Sequence, residues 1–446
     1  MRRFAEADFR AVEAALTARW PESRLEPSLG RIAALVDLLG GPQRAYPVVH
    51  ISGTNGKTSV ARMIDTLLRG FGLRTGRFTS PHLASVTERI SIDGEAVTPE
   101  RFVEIYRDVA PYVEMVDRRG EGPAMSFFEV LTGMAFAAFA DAPVDAAVLE
   151  VGMGGSWDAT NVADAAVAVM TPVAVDHAHY LGDSPATIAE EKAGIVKEGT
   201  LAVFAQQPVE VAEVLLRRSV EVGATVAREG LEFGVLARTV GVGGQALTLQ
   251  GLGGVYDEVL LPLHGAYQAH NAACALAAVE ALLGRQREHL DLDTVRRAFE
   301  QVSSPGRLEV VRRGPAVLLD SAHNPAGAAA TAAAIEEAFR FTRLVGVVGV
   351  PADKDAAGIL EALEPVLSDL VVTQSSSGRA LPAHELAAVA EEVFSPGRVE
   401  VQPRLDDALD AAVRLAEDEG ELGGGVLVTG SIITVGDARR LLGGPR

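Results

Sequence analysis

A single cysteine, Cys274, stands among 446 residues, inside the apolar Ala-rich run 272–278. One thiol can form neither an intrachain disulfide nor a multi-cysteine metal site, and such usage fits a reducing cytoplasm. Long apolar runs are missing too: the two longest candidates, 130–140 and 165–175, each end at an Asp, well short of the about 20 residues that a membrane-spanning helix needs. The opening Met1-Arg2-Arg3-Phe4-Ala5-Glu6 meets an acid before an apolar stretch can form, so no signal peptide is expected. The expectation is a soluble, cytoplasmic protein with no membrane partner. Basic charge is scarce, with 40 Lys and Arg against 60 Asp and Glu and a net charge of -20. The surface as a whole therefore has no general grip on a phosphate backbone; nucleic acid is not an expected partner, and any anionic ligand must be held by a local site. Internal repeats, heptads and low-complexity tracts are absent.

What is present reads as a multidomain globular chain. Hydrophobic residues make up 48% and charged residues 22%, with 45 Gly and 22 Pro to supply turns. At about 150 residues per domain the length predicts two or three domains. Nearly continuous apolar runs at 46–51, 146–151, 165–170 and 201–205 read as buried strands, and helical spacing appears at 58–71, 101–115, 127–139, 184–196 and 209–222. Strand and helix alternate, which predicts a parallel α/β sheet. Asp93-Gly94 predicts a hairpin within 89–97, and 231–263 reads as short strands around Gly-rich turns, so small antiparallel additions are expected. Alternation restarts after Ser303-Ser304-Pro305-Gly306, with strands near 316–319, 344–350, 370–373, 398–401 and 425–429. The expected division is an N-terminal P-loop NTPase-like domain over 1–303 and a smaller Rossmann-like α/β domain over 304–446.

The segment Ser52-Gly53-Thr54-Asn55-Gly56-Lys57-Thr58-Ser59 lies between the first strand and its helix. Unpaired backbone N–H groups and the helix dipole favour phosphate there; Lys57 can reach terminal phosphates and the Thr58 hydroxyl can ligate a metal. The common P-loop has Gly five positions before its Gly-Lys, where this chain has Ile51. Glu150 ends an apolar strand ahead of Gly152-Met153-Gly154-Gly155, and Asp176-His177 closes the next apolar run. Ligands of open α/β sheets gather at the carboxyl ends of strands, which places Glu150 and His177 toward the P-loop as metal-ligand candidates. Glu190-Glu191-Lys192-Ala193-Gly194 reads as an ordinary solvated helix face. In the second domain Asp320-Ser321-Ala322-His323-Asn324-Pro325 follows a strand, with Asn324 as an N-cap. Arg307, beside Pro305-Gly306, sits where domain closure could bring a guanidinium to a γ-phosphate.

Together these segments resemble the folylpolyglutamate synthase/dihydrofolate synthase family, within the Mur ligase superfamily. The resemblance runs from about Leu29 to Val435 and includes Ser80-Pro81-His82-Leu83, Thr87-Glu88-Arg89, Asp158-Ala159-Thr160-Asn161, Glu191 to Ile195, Pro305-Gly306-Arg307 and Asp353-Lys354-Asp355. It implies ATP phosphates on Gly53, Thr54, Asn55, Gly56, Lys57, Thr58 and Ser59, with Asn271, Arg307, Asp320 and His323 also contacting nucleotide. It implies two magnesium ions, one at Ser80 and Glu150 with Thr58 close by, another at Glu150 and His177, with K+ as a further candidate cation. It reverses the bland reading of Lys192, which in related ligases carries a carbamate able to ligate metal. Substrate contacts are implied for Leu29, Arg31, Ser80, His82, Phe128, Ser156, Trp157 and Asp158. Two positions depart from the family pattern: Ser156-Trp157 stand where many members have a basic residue after the double glycine, and Tyr267 where many have His.

The activity implied is ATP-dependent ligation of L-glutamate to 7,8-dihydropteroate, to the γ-carboxyl of a reduced folate, or to both, through an acyl phosphate. The partners are then small molecules, and a monomer is expected. Lys57, Glu150, His177, Lys192 and Arg307 form the catalytic set. Three rivals are weighed against it. A peptidoglycan Mur ligase is disfavoured because only 52 residues precede Gly53. A small-molecule kinase would need no glutamate, and a catalytically silent scaffold would not need Lys57, Glu150, His177 and Lys192 all intact.

Overall fold

The computed structural model describes residues 2–21, 26–120, 122–176, 178–284, 288–417 and 423–443. Two compact units emerge, one comprising Met1–Arg238, Leu247–Leu260 and His270–Val302, the other Thr239–Ala246, Leu261–Ala269 and Ser303–Arg446.

The first unit is built on β1 (Val48–Ser52), β2 (Thr75–Phe78), β3 (Ile90–Ile92), β4 (Glu95–Ala96), β5 (Ala146–Glu150), β6 (Val167–Met170), β7 (Leu201–Phe204) and β8 (Thr225–Arg228), in the order β4-β3-β2-β5-β1-β6-β7-β8. All pairings are parallel except β2 with β3 and β3 with β4, and β3 with β4 forms the hairpin expected at Asp93-Gly94. β1 lies between β5 and β6, with Ile51 opposite Glu150 and Ser52 opposite Met170. The chain thus leaves β1 at the point where strand order reverses, where open α/β sheets keep their ligand crevice. β1, β5 and β6 are buried along their whole length, which is why they read as nearly continuous apolar runs interrupted only by His50, Ser52 and the strand-end Glu150.

β2 has the sequence Thr-Gly-Arg-Phe and is also fully buried. Its polar groups are met by Asp65 on the helix Lys57–Gly70: Thr75 Oγ1 and Arg77 Nη1 each donate to that carboxylate at 2.6 Å. A side chain at Gly76 would run into Phe139, 2.5 Å away, so the strand packs directly under the helix Phe127–Asp141. No apolar period advertises such a strand, and the sequence reading passes over it.

In the 231–263 stretch, β9 (Gly234–Gly241), β10 (Gly244–Gln250) and β11 (Val255–Leu261) form a three-stranded sheet in the order β11-β10-β9. The second unit carries β12 (Glu309–Arg313), β13 (Ala316–Leu319), β14 (Arg343–Val348), β15 (Asp369–Val372), β16 (Val399–Val401) and β17 (Gly424–Thr429), ordered β12-β13-β17-β14-β15-β16. The five expected strands are all present and parallel. The added edge strand β12 is antiparallel to β13 and mostly exposed, so it has no apolar run to betray it. Leu318, Val348, Leu360, Leu370 and Leu427 lie in this unit's core. No helix among the described residues is long and apolar enough to cross a membrane.

Candidate active site

The loop after β1 is shaped by two glycines. Gly53 has φ 139° and Gly56 φ 92°, a region that disfavours side chains. A Cβ on Gly53 would lie 1.9 Å from Thr171 Oγ1, and one on Gly56 2.6 Å from Asn271 Oδ1. Thr54 and Asn55 donate their N–H groups to the Pro172 carbonyl at 2.9 and 3.4 Å, and Thr54 Oγ1 donates to Ala174 O at 2.9 Å. The loop is thereby tied to the segment after β6 and packed against Asn271. Lys57 begins the helix and curls back, its Nζ donating to Gly53 O at 3.1 Å and Thr54 O at 3.3 Å. Ser59 is buried on the first turn.

Glu150, 1% exposed, accepts from Thr58 Oγ1 at 2.8 Å and from the Ser80 N–H at 3.3 Å. Ser80 Oγ accepts from Arg89 Nη1 at 3.2 Å, and Arg89 Nε donates to His82 Nδ1 at 3.0 Å. Glu88 orders this turn by accepting the N–H groups of Leu83, Ala84 and Ser85 within 2.9 Å. The expected gathering of Thr58, Ser80 and Glu150 is therefore present. Two hydroxyls and a carboxylate are hard oxygen donors, a set that fits Mg2+ completed by phosphate oxygens and water. No group of three or more His, Cys, Asp or Glu side chains suited to a metal occurs among the described residues. His177, the other expected ligand, lies outside those residues.

Lys192 is not a solvated charge. It ends the helix Pro185–Lys192, is 4% exposed, and its Nζ donates to Gly53 O at 2.8 Å. Burial, reinforced by the nearby Lys57 ammonium, pulls its amine down to about 7. Glu191 also departs from the solvated reading: its carboxylate accepts the N–H groups of Gly155 at 3.2 Å and Trp157 at 3.3 Å, while Ser156 Oγ donates to its carbonyl at 2.9 Å. Side chains at Gly155 and Gly194 would strike the Lys192 backbone at 2.7 Å and Ser156 Oγ at 2.1 Å. The two turns interlock through glycine, a tertiary relation that helical periodicity does not encode. Asp158 is buried and holds the same loop, accepting from the N–H groups of Gly152 and Met153 at 3.0 Å each; burial lifts its carboxyl to about 6.

Two of the expected substrate residues, Leu29 and Phe128, belong to one hydrophobic cluster. Leu29 packs on the core that contains Ile32, Leu35 and Phe128. Phe128 stands with its ring centroid 5.7 Å from that of Phe78. Arg31 is already committed: its Nε donates to Glu129 at 2.9 Å, and its guanidinium lies 5.2 Å from the Trp20 ring centroid. Glu129 in turn closes a capping box with Ser126 at the start of the Phe127–Asp141 helix. In the sequence, the box pattern Ser126-x-x-Glu129 is the local signal for the acid that Arg31 meets.

In the second unit Asp320 is buried, accepting from the Leu308 N–H at 2.8 Å, from the Ala322 N–H at 2.9 Å and from Thr331 Oγ1 at 2.9 Å. Burial raises its carboxyl, and Arg307 opposes that rise. Tyr267 lies within electrostatic reach of both, and burial raises its phenol. His323 Nδ1 is 2.9 Å from the Ser321 carbonyl, and Asn324 Oδ1 caps the helix Pro325–Ala338 through the Gly327 N–H at 2.8 Å. Arg307, Asp320 and His323 thus share the strand-end region of one unit.

Comparison with known proteins agrees with this chemistry. Residues 123–279 match the Mur ligase middle domain and residues 306–432 the Mur ligase glutamate ligase domain. The chain is 54% identical to the dihydrofolate synthase/folylpolyglutamate synthase of Mycobacterium tuberculosis, over 97% of this chain and 93% of that protein. It is 31% identical to the Escherichia coli dihydrofolate synthase/folylpolyglutamate synthase, over 93% of each. Its fold superimposes with a TM-score of 0.95 on M. tuberculosis folylpolyglutamate synthase complexed with ADP and AMPPCP, covering 99% of both chains. Against the E. coli enzyme in complex with DHPP and ADP the TM-score is 0.84 at 28% identity, covering 98% of this chain and 97% of that one. With both Mur ligase domains matched and a relative this similar along nearly its whole length, the chain belongs to the dihydrofolate synthase/folylpolyglutamate synthase family of ATP-dependent Mur-type ligases.

Proposed function

We propose that this protein joins L-glutamate both to 7,8-dihydropteroate and to the γ-carboxyl of reduced folate glutamates. A carboxylate oxygen of the acceptor attacks the γ-phosphorus of ATP, and the bond to the bridging β,γ-oxygen breaks with ADP leaving. The amine of glutamate then attacks the acyl carbon, loses a proton, and expels inorganic phosphate to leave an amide. The observation that carries this reading is the joining of Thr58 and Ser80 on Glu150, beside a loop on which Lys57 and Lys192 converge at the Gly53 carbonyl.

Backbone N–H groups of 53–59 and the Lys57 ammonium hold the phosphates, with Arg307, Asn271, Asp320 and His323 as further nucleotide contacts. Residues 1–303 then supply ATP and folate binding and 304–446 the glutamate ligase function. Thr58, Ser80 and Glu150, with His177, hold two Mg2+ ions, and K+ is a further candidate. Bound Mg2+ screens the negative charge of the phosphates. Lys192, kept largely neutral near pH 8 by its burial, is suited to form a carbamate: the nitrogen of the neutral amine bonds the carbon of CO2, one proton leaves, and the neutral side chain becomes an anion. Leu29, Arg31, Ser80, His82, Phe128, Ser156, Trp157 and Asp158 frame the acceptor. The protein acts as a cytoplasmic monomer.

The deciding assay is glutamate-dependent phosphate release from Mg-ATP, with 7,8-dihydropteroate or tetrahydrofolate as acceptor and products identified by mass. Turnover with both supports the bifunctional reading, turnover with tetrahydrofolate alone restricts it to polyglutamylation, and silence with both rejects it.

A further inference from the structure

Arg62 lies on the helix Lys57–Gly70, four positions after Thr58 and so on the same face, one turn deeper. Helical side chains lean toward the N-terminus, which here is the phosphate loop. The Arg62 side chain is half-buried and within electrostatic reach of three acids, Glu88, Asp65 and Glu150, and of Arg77. Each acid is already engaged elsewhere. Glu88 takes the amides of 83–85, Asp65 takes Thr75 and Arg77, and Glu150 takes Thr58 and Ser80. The Arg62 guanidinium makes no hydrogen bond or ion pair with any described residue. Arginine is rarely withdrawn from water unless paired, and its five donors form a planar fork matched to a carboxylate.

Lys57, the phosphate-facing lysine, is five positions earlier, about 140° round the helix. Arg62 therefore serves the other edge of the loop, where Glu150 and Ser80 stand. We propose that Arg62 binds the acceptor carboxylate that ATP phosphorylates, holding it beside the Glu150 edge while Lys57 holds the phosphates. This inference rests on the ligase reading above. It answers a physical need of that reaction, because an anionic nucleophile must approach an anionic γ-phosphate, and a forked cation both offsets the repulsion and fixes the attacking oxygen.

The test compares wild type with Arg62→Gln, Arg62→Lys and Arg62→Ala. Tetrahydrofolate is titrated in steady state and, separately, by calorimetry in the presence of AMPPCP. Loss of a charge-assisted bidentate contact predicts that Arg62→Gln weakens tetrahydrofolate binding and raises its KM by about 10- to 100-fold, while AMPPCP affinity stays within about twofold. Arg62→Lys should recover part of the loss, and added guanidinium should restore turnover to Arg62→Ala. Unchanged tetrahydrofolate affinity in Arg62→Gln overturns the proposal, as does an equal loss of AMPPCP affinity or the absence of guanidinium rescue. An inactive wild type would reject the ligase reading itself, whereas an active wild type with an indifferent Arg62→Gln rejects only the role of Arg62.

Discussion

Replacing His50 by glutamine tests whether the strand that leads to the phosphate loop is kept stable by a neutral imidazole. His50 is fully buried in the middle of β1, its Nε2 2.7 Å from Thr160 Oγ1. The Thr160 hydroxyl gives its own proton to Asp158, so it accepts from His50 Nε2–H, leaving Nδ1 without a partner. Burial, aided by the Lys197 charge, pushes the imidazole from 6.5 down to about 3. Above pH 6.5 both folded and unfolded chains carry it neutral. As pH falls from there toward 3 the unfolded chain takes up a proton that the folded chain refuses, and stability is lost at about 1.4 kcal/mol per pH unit. From about pH 8 down to about pH 4.5 the loss is about 2.7 kcal/mol, and well below about pH 3 it reaches about 5 kcal/mol. Glutamine offers an N–H to Thr160 and does not titrate. The assay is urea unfolding of both proteins across that range, read by hydrogen exchange of the Val49 and Ile51 amides so that the first unit alone is reported. The stability of wild type relative to His50→Gln should fall by about 2.7 kcal/mol on acidification. A difference independent of pH would refute the argument.

Lys57→Ala should lower ATP-dependent turnover by at least about 100-fold; near-normal kcat would reject the phosphate role. Glu150→Gln keeps the hydrogen bond from Thr58 yet removes the anion, so Mg2+ affinity, read by titrating activity or AMPPCP binding, should weaken by about tenfold or more. Lys192→Ala should lose most activity, with partial rescue by acetate. In wild type equilibrated with 13C-bicarbonate a carbamate resonance should appear and be missing in the variant; no resonance in active enzyme would remove the carbamate from the scheme.

Much of the phosphate side was legible in the chain itself. A buried strand, a glycine-containing turn and a helix opening with Lys57-Thr58 are adjacent in sequence, so local pattern suffices to place them. The strand-end position of Glu150 follows from the same logic. The burial of Lys192 was not legible, because a Glu-Glu-Lys run has the periodicity of a solvated face and only the glycine interlock of 154–156 with 191–194 removes it from water. β2 escaped for a related reason: Thr75 and Arg77 are polar, and their burial depends on Asp65, ten and twelve positions away.

Legible from the chain alone are the alternation of strands and helices, the glycine-containing turn before Lys57 and the strand-end acid Glu150, since each depends on apolar period and on residues adjacent in the chain. Tertiary structure alone decided which charged side chains are withdrawn from water. Asp65 with Arg77, Arg31 with Glu129, and Lys192 on the Gly53 carbonyl join positions that sequence leaves apart. A charge enters a protein interior only where a distant partner or a ligand meets it, and that meeting is made by the packing of elements.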